Sequence, residues 1–398
     1  MKSKHVDRKW IIPVILSALL TIFFLAIKFN IGLVSSLHTL SSSPPQARPT
    51  TPRFAYLVSG SKGDLERLWR TLLSVYHPLN QYVVHFDLKS SVEERLKLVQ
   101  RVEKHSLFAS VGNVYTIKKA NLVTYRGPTM LANTLHACAI LLRNSKDWDW
   151  FINLSPSDYP LVTQDDLLHT FKHLNRSLNF VEHTSKLGWK AGQRAMPMIV
   201  DPGLYSNSKK NIFWASQKRA LPTAFRFYST VAGSAWMVLS RSFVEYVIMG
   251  WDNLPRTLLM YYTNFVSSPE GYIQTVLCNA PEFIPTAINH DMHYISWDRP
   301  PKQHPRFLNI NDAKKMISSN AAFARKFKRD DPVLDLIDRK LLNRSRRGIT
   351  PGGWCAGNPP CSKVGDPYNI KPGPGAGRLP GLINWLVSRS QKQGHHCR

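Results

Sequence analysis

The sequence is poor in acidic residues for its length. Its 398 residues include 26 Asp and Glu against 52 Lys and Arg, so the formal net charge is +26. Nucleic acid is the usual partner of so basic a chain, but an apolar segment near the N-terminus argues against that partner. We expect solvated basic side chains to account for most of the charge, and an anionic substrate such as a nucleotide diphosphate to account for a minority.

Cysteine is also scarce, and no spacing of cysteine and histidine resembles a zinc site. The five cysteines are Cys138, Cys278, Cys355, Cys361 and Cys397, and an odd number leaves at least one thiol outside an intrachain disulfide. Cys355 and Cys361 flank a tight turn that could close into a disulfide. Cys138 and Cys278 lie in apolar helical patterns, so we expect both to be inert thiols in the core.

Long hydrophobic runs are absent except near the N-terminus, where Trp10 begins an apolar run that reaches Ile27. The run becomes a membrane anchor over residues 10–34 if Lys28 extends its charge to the membrane interface. It is longer than the core of a signal peptide, and no small-x-small cleavage site follows it. A cleaved signal and a buried core helix are the weaker alternatives.

The segments around this run predict its topology. The basic residues of segment 1–9 place it in the cytoplasm and the remainder of the chain in the lumen. Residues 35–52 are rich in Ser, Pro and Thr, which predicts a flexible stem. Tail, anchor, stem and globular body in this order are typical of a single-pass type II enzyme of the Golgi membrane.

Three glycosylation sequons lie in the body that follows the stem. Asn175 and Asn343 lie in polar segments, so we expect both to carry glycans. Asn153 lies in an apolar run and precedes a proline at position 156, so we expect it to be buried and unmodified.

The body alternates strand and helix patterns. Strands are predicted over residues 54–60, 81–87, 113–117 and 149–154, and helices over residues 64–75, 90–105 and 127–143. This alternation predicts an α/β fold with a mostly parallel sheet flanked by helices, in which ligands bind beyond the carboxyl ends of the strands. The polar residues at those ends are Ser59, Gly60, Asp87, Arg126 and residues 155–158.

Glu270 is the strongest candidate for an acid–base group. It lies in Ser268-Pro-Glu-Gly-Tyr, where Ser and Pro suit the start of a helix. The apolar residues Tyr272, Ile273, Val276 and Leu277 then predict a buried helix face. A carboxylate in the first turn of a helix is often explained by the helix dipole alone. The alternative is a general base that takes a proton from a substrate hydroxyl.

Several motifs in fixed order accompany Glu270. The most specific is Phe151-Ile-Asn-Leu-Ser-Pro-Ser-Asp-Tyr-Pro-Leu, and the others are Tyr125-Arg-Gly-Pro-Thr-Met, Gly233-Ser-Ala-Trp-Met-Val-Leu-Ser-Arg-Ser-Phe, Ile295-Ser-Trp-Asp and Phe323-Ala-Arg-Lys-Phe. Together they resemble glycosyltransferase family 14, which includes the core-2/I-branching enzymes and the related xylosyltransferases. The resemblance covers residues 53–342. Residues 343–398 are a Gly/Pro-rich basic extension, which we expect to lie as an extended tail over the body.

The wording of two further stretches resembles the plant branch of this family. They are Arg194-Ala-Met-Pro-Met-Ile-Val-Asp-Pro-Gly-Leu-Tyr and Trp251-Asp-Asn-Leu-Pro-Arg-Thr. The resemblance implies a GT-A-like fold and inverting transfer of glucuronate from UDP-glucuronate to the β-galactan chains of arabinogalactan proteins. Transfer of N-acetylglucosamine or xylose is the alternative within the family. An inactive, membrane-anchored glycan-binding protein is the alternative outside it, and a binding protein would need neither Glu270 nor Lys326.

The resemblance also implies roles for individual residues. Glu270 matches the base, Val58 and Asp87 match positions that hold the nucleoside, and Arg126 matches a donor contact. Asp158 is assigned to the donor site as well, although an isolated Asp-Tyr-Pro would be read as an Asx-turn. Arg299 and Lys326 match residues that meet the diphosphate, although Arg325 and Lys326 could also be an ordinary exposed pair. Trp236 matches a sugar contact, with a residue of the strand core as the alternative.

A second aspartate beside Asp87 is missing. Glycosyltransferases of this fold often bind a metal through an Asp-x-Asp pair, whereas here the residue two positions after Asp87 is Lys89. Asp147 and Asp149 have the right spacing, but they precede a strand and are read as a connection between helix and strand. Fixed cations can neutralise a departing diphosphate without a metal. We therefore expect catalysis without a metal cofactor.

Overall fold

A computed structural model describes residues 51–206, 211–230, 234–300, 302, 304–393 and 397 of the chain. The predicted cytoplasmic tail and anchor and almost all of the stem lie outside the described residues. No helix in these ranges is long and apolar enough to span a membrane. Residues 51–398 form one compact unit.

The strands of the body form one large sheet and three small ones. In chain order the strands are β1 Phe54–Gly60, β2 Gln81–Phe86, β3 Val114–Thr116, β4 Trp150–Leu154, β5 Asp158–Pro160, β6 Asn179–Val181, β7 Met198–Val200, β8 Phe213–Ser216, β9 Met237–Ser240, β10 Ala287–Ile288, β11 His293–Ile295, β12 Phe323–Arg325, β13 Cys355–Ala356 and β14 Lys363–Val364. The large sheet has the order β10-β6-β9-β4-β1-β2-β3. Only β9 runs antiparallel to its neighbours in this sheet.

Helices cover both faces of the large sheet. They are α1 Leu65–Ser74, α2 Val92–Lys104, α3 Ser106–Val111, α4 Thr129–Asn144, α5 Gln164–Phe171, α6 Arg241–Met249, α7 Leu254–Tyr262, α8 Tyr272–Asn279, α9 Ala313–Ser318, α10 Pro332–Lys340 and α11 Pro374–Gln393. Side chains of β1 alternate between two cores: Phe54 and Tyr56 pack on the side of α1, and Ala55 and Leu57 on the side of α4. The predicted α/β sheet with helices on both faces is confirmed.

A three-stranded sheet, β11-β12-β5, lies beyond the carboxyl end of β4. Asp158 of β5 pairs directly with Arg325 of β12. The next residue of β5, Tyr159, donates a hydrogen bond of 2.5 Å to the buried carboxylate of Asp338, which also accepts from Arg70 and Arg344. This buried network fixes β5 and therefore fixes where Asp158 points. Arg344 belongs to a basic run, yet it is buried by this network and does not contribute to a solvated face.

The C-terminal extension is not the extended tail that its composition predicts. It contains the helix α11 and is held to the body by two buried carboxylates that precede it by about two hundred positions. Asp165 accepts from the amides of Gly353 and Lys371 at 2.7 and 2.8 Å, and Asp166 accepts from Gly373 and Ala376 at 2.6 and 3.0 Å. Many of the glycines and prolines therefore lie in the segment that leads into α11, a helix packed on the body. Asp165 and Asp166 accept hydrogen bonds from the backbone amides of that segment.

Cysteine pairing corrects one expectation and bears out two others. Cys278, expected to be an inert thiol, forms a disulfide with Cys397, and the predicted pair Cys355 and Cys361 is also bonded. Cys138 is a free, buried thiol, as expected. The missed pair joins residues 119 positions apart, so its geometry depends on how α8 and the C-terminus pack and is invisible in local spacing.

The three sequons differ in exposure. Asn175 and Asn343 are exposed. Asn153 is buried in β4, where its amide donates to the carbonyl of Ala235 at 2.8 Å and its side-chain oxygen accepts from the amide of Met237 at 3.0 Å. An asparagine with both polar atoms engaged in the core has no room for a glycan.

We predict that alkylation of the unfolded, unreduced protein modifies Cys138 alone, and that reduction exposes all five cysteines. Replacing Cys278 and Cys397 by serine should lower the unfolding free energy by about 2–4 kcal/mol, since a long loop is released. The double variant at Cys355 and Cys361 is the control, because it opens a short loop and should have a smaller effect. Mass spectrometry and thermal unfolding measure both effects, and a second labelled cysteine before reduction would contradict the pairing.

Candidate active site

Glu270 is buried, with 3% of its surface exposed, at the end of a 3-10 turn over Ser268–Glu270. Its carbonyl accepts from the Ser229 hydroxyl at 3.0 Å and from the Thr230 amide at 3.1 Å. On the other side of the turn, the Ser268 hydroxyl donates to the Tyr262 carbonyl at 2.6 Å. The backbone that carries the carboxylate is therefore held by two neighbouring segments.

The glycine after Glu270 is explained by close packing. A β-carbon on Gly271 would lie 2.9 Å from the Tyr262 hydroxyl, closer than real β-carbons approach an oxygen. Gly271 is also the N-cap of α8 and has no side chain to cap that helix. The sequence Ser-Pro-Glu-Gly thus sets a buried turn against α7 and then starts α8, whose residues Tyr272, Ile273 and Val276 are buried as predicted.

The Glu270 carboxylate is held by two side chains. The Tyr125 hydroxyl donates to Oε1 at 2.5 Å, and the Arg194 guanidinium pairs with Oε2. Burial raises the pKa of Tyr125 well above the usual value for tyrosine, and the charge of Glu270 raises it further, so Tyr125 stays protonated and donates. These partners lie outside α8, so the helix dipole does not explain the position of Glu270. A fixed, buried carboxylate is suited to accept a proton.

The loop after β3 carries Tyr125 to this position. The carbonyl of Arg126 accepts from the Ser267 amide at 2.7 Å, which ties the loop to the segment just before the 3-10 turn. Gly127 fits closely beside Asp201, whose carboxylate oxygen would lie 2.0 Å from an added β-carbon. Asp201 in turn accepts from the Thr124 hydroxyl at 2.5 Å. The side chain of Arg126 is exposed at the edge of the site.

A second cluster joins Asp158, Trp236 and Arg325. The Trp236 indole donates to Asp158 Oδ2 at 2.6 Å, and the Ser155 amide donates to the same oxygen at 2.6 Å. Arg325 Nε lies 3.3 Å from Asp158 Oδ1, as an ion pair without hydrogen-bond alignment. The guanidinium carbon of Arg325 also lies 3.2 Å from the centre of the Trp236 ring.

The two clusters belong to one site, because Tyr125 is within electrostatic range of both arginines. The charges of Arg325 and Arg194 oppose the rise in the pKa of Tyr125. The Asp-Tyr-Pro motif is therefore more than an isolated turn: Asp158 does close a turn with Ser155, and it also orients Trp236 and Arg325 at the site. Trp236 immediately precedes β9 and is 4% exposed, so it packs in the core while its indole N–H bonds Asp158.

The residues assigned to the diphosphate differ in setting. Lys326 is half-buried with its ammonium 4.5 Å from the centre of the Phe307 ring, and burial together with the charge of Arg325 lowers the pKa of Lys326. Arg299 is exposed in the segment that follows β11. Arg325 and Lys326 are thus no ordinary exposed pair, since Arg325 lies inside the site and Lys326 beside it.

The two positions that the resemblance assigns to the nucleoside, Val58 and Asp87, lie near the carboxyl ends of β1 and β2. Asp87 accepts from the Ser61 hydroxyl at 3.1 Å, from the Lys89 amide at 3.0 Å and from the Val123 amide at 3.2 Å. It therefore joins the ends of the first strands to the loop that carries Tyr125. The Val58 side chain is fully buried in the core, so any ligand contact there would involve the backbone.

The carboxylates near the site already have partners within the protein. Both oxygens of Asp87 and Oδ2 of Asp158 already accept hydrogen bonds, and Asp158 Oδ1 faces Arg325. Asp149 accepts from the Arg53 amide at 2.9 Å at the start of β4, which confirms it as part of a connection. Within the described ranges, one group has three possible metal ligands, and two of them are the disulfide-bonded Cys278 and Cys397.

Comparison with known proteins assigns the chain to a family. Residues 54–317 match the family model described as Core-2/I-branching enzyme. The chain belongs to this family. The β-glucuronosyltransferase GlcAT14A of Arabidopsis thaliana is 55% identical over 98% of this chain and 93% of its own length, and GlcAT14B of the same plant is 54% identical over 100% and 97%. Mouse xylosyltransferase 2 is 28% identical over 73% of this chain and 34% of its own length.

Among solved structures, mouse xyloside xylosyltransferase 1 in its apo form covers 69% of this chain at 12% identity. Its TM-score of 0.31 is too low to support an argument. The family assignment rests on the family model and on the plant relatives, and it confirms the resemblance seen in the motifs.

Sequence reasoning missed four residues of this family member's site. Tyr125 and Arg194 hold the Glu270 carboxylate, Lys190 lies within electrostatic range of it, and Arg325 pairs with Asp158. Tyr125 and Arg194 each begin a motif that carries the family resemblance, which was the available signal. Their role depends on contacts between residues 145 and 76 positions apart, and those contacts have no local pattern.

We predict that Glu270→Gln lowers turnover about 10²- to 10⁴-fold, the usual contribution of a general base, because an amide cannot take the proton. Glutamine keeps the size of the side chain and can still accept from Tyr125, so UDP affinity should stay close to that of the wild type. Initial rates and calorimetry with UDP measure the two quantities. Wild-type turnover in this variant would reduce Glu270 to a structural residue at the start of α8.

Proposed function

We propose that this protein transfers glucuronate from UDP-glucuronate to galactan chains with inversion at the anomeric carbon. The observation that carries the proposal is a buried carboxylate, Glu270, held by Tyr125 and Arg194 in a site built from the family's motifs. The names of the plant relatives, which are more than half identical over nearly the whole chain, support glucuronate as the transferred sugar.

In the proposed reaction Glu270 accepts the proton of the acceptor hydroxyl. The acceptor oxygen forms a bond to the anomeric carbon as the bond from that carbon to the phosphate oxygen breaks, and UDP leaves with the electron pair. Attack opposite to an α-linked UDP gives a β-linked product. Tyr125 holds the carboxylate in one orientation throughout and stays protonated.

Charge that develops on the departing UDP needs fixed partners. Lys326 and Arg325 at the end of β12 supply two neighbouring positive charges, and Arg299 adds a third from the exposed segment after β11. The carboxylates nearby are already engaged by protein donors. We therefore propose that this enzyme needs no metal cofactor.

The proposed acceptor is the β-galactan of arabinogalactan proteins, and the proposed location is the Golgi membrane. Support for the location comes from the basic segment 1–9 followed by the apolar segment 10–34. Two disulfides in the body suit an oxidising lumen, and both polar sequons, at Asn175 and Asn343, are exposed to receive glycans.

A donor screen with the purified body tests the function. With a β-galacto-oligosaccharide acceptor, we expect turnover with UDP-glucuronate and much lower rates with UDP-xylose and UDP-N-acetylglucosamine. Product mass identifies the sugar, and nuclear magnetic resonance gives the anomeric configuration. A preference for either other donor would favour the alternative within the family. Binding of galactan with no turnover of any donor would favour a glycan-binding protein.

We predict that activity survives excess chelator, and that Lys326→Ala raises the donor KM and lowers kcat, about 10- to 100-fold in kcat/KM for one lost charge-assisted contact. Lys328→Ala is a matched control, because Lys328 is exposed and lies near the same Phe307 ring. Loss of activity with chelator and recovery with Mn²⁺ would overturn the proposal and return attention to Asp87 and Asp158 as ligands.

A further inference from the structure

Arg194 has an unusual position for a surface-loop arginine. It lies in the π-helical turn Ala191–Ala195, and its side chain is 18% exposed where it pairs with the buried Glu270. The guanidinium carbon lies 5.3 Å from the centre of the Trp189 ring, which is itself exposed. Arg194 therefore reaches from the rim of the site to the proposed base.

The pairing with Glu270 uses only part of the guanidinium. Nη1 contacts Oε2 of Glu270, and a guanidinium carries further N–H donors on Nε and Nη2 in a fixed planar fork. Such a group can bridge two carboxylates. UDP-glucuronate brings a second carboxylate close to Glu270, because its C6 is separated from the anomeric carbon only by C5 and the ring oxygen.

Two carboxylates in one buried site repel each other unless a cation lies between them. Other cations near the site have different proposed partners. Arg325 and Lys326 are proposed to meet the diphosphate, and Lys190 donates to the carbonyl of Thr230. Arg194 is the one that touches the proposed base itself.

We propose that Arg194 reads the carboxylate of the donor sugar, bridging it to Glu270, and so selects glucuronate over neutral sugars. This inference rests on the proposed function. With a neutral sugar no second anion completes the bridge, and one side of the guanidinium lacks its partner. Arg194 is a specificity-determining residue in this arrangement, and it also positions Glu270.

The test compares UDP-glucuronate with UDP-glucose, which differs from it only by a hydroxymethyl group in place of the carboxylate. Calorimetry without acceptor measures donor affinity in the absence of transfer. Arg194→Gln should weaken the binding of UDP-glucuronate about 10- to 100-fold, the loss expected for one charge-assisted hydrogen bond. The affinities for UDP-glucose and for UDP should change little. Arg194→Lys keeps the charge without the planar fork. Its affinity for UDP-glucuronate should therefore lie between the affinities with arginine and with glutamine at this position.

Arg226→Gln is the control, because Arg226 is exposed and its side chain bonds the Ser185 hydroxyl. Equal weakening of both donors by Arg194→Gln, or no weakening of either, would overturn the inference. A rise in the KM for the acceptor with unchanged donor selectivity would also overturn it. Failure of the proposed function is distinct, because it would show in the wild-type donor screen as a preference for another sugar.

Discussion

The buried ion pair between Glu270 and Arg194, completed by the Tyr125 hydroxyl, is the constraint on which the site depends. An ionised carboxylate with 3% exposure is stable only with well-placed partners. Those partners come from the loop after β3 and from the turn Ala191–Ala195, so both segments must pack against the 3-10 turn that carries Glu270. Removing one partner would leave a buried charge that is only half compensated, which links catalysis to the packing of distant segments.

The C-terminal extension helps to hold the segments that carry and surround Glu270. The disulfide between Cys278 and Cys397 joins its end to α8, the helix that follows Glu270. The carbonyl of Cys397 also accepts a hydrogen bond from the Tyr228 hydroxyl at 2.7 Å. The residue after Tyr228 is Ser229, whose hydroxyl donates to the Glu270 carbonyl. Asp165 and Asp166 hold the beginning of the extension at the other side of the body. A segment that reads as a flexible tail is thus part of the framework of the site.

Local sequence patterns predicted the strands and helices whose formation depends on neighbouring residues. Strands β1, β2 and β4 and helices α1 and α4 lie within a few residues of their predicted bounds, because alternating and helical spacing of apolar residues reflects burial directly. The family and the type of enzyme followed from motifs in fixed order, and the family model bears them out. Arg194, the role of Arg325 and the partner of Cys278 were missed, because each depends on a contact between distant positions. The helix α11 was missed because its glycines and prolines do not form a recognisable helical pattern. Its stability comes from packing on α5.

Part of the basic composition is explained by arginines that pair with buried carboxylates. Asp158 faces Arg325, Glu270 faces Arg194, and Asp338 lies between Arg70 and Arg344. Each pair places a carboxylate against a cation in the protein interior and leaves an arginine whose remaining N–H donors are fixed in direction. At the first two pairs the arginine also faces the site, so the same side chain that neutralises the protein's own anion is oriented to meet one from the substrate. The proposed donor, UDP-glucuronate, carries both a diphosphate and a carboxylate, and these arginines offer it oriented N–H donors without any additional unpaired charge in the core.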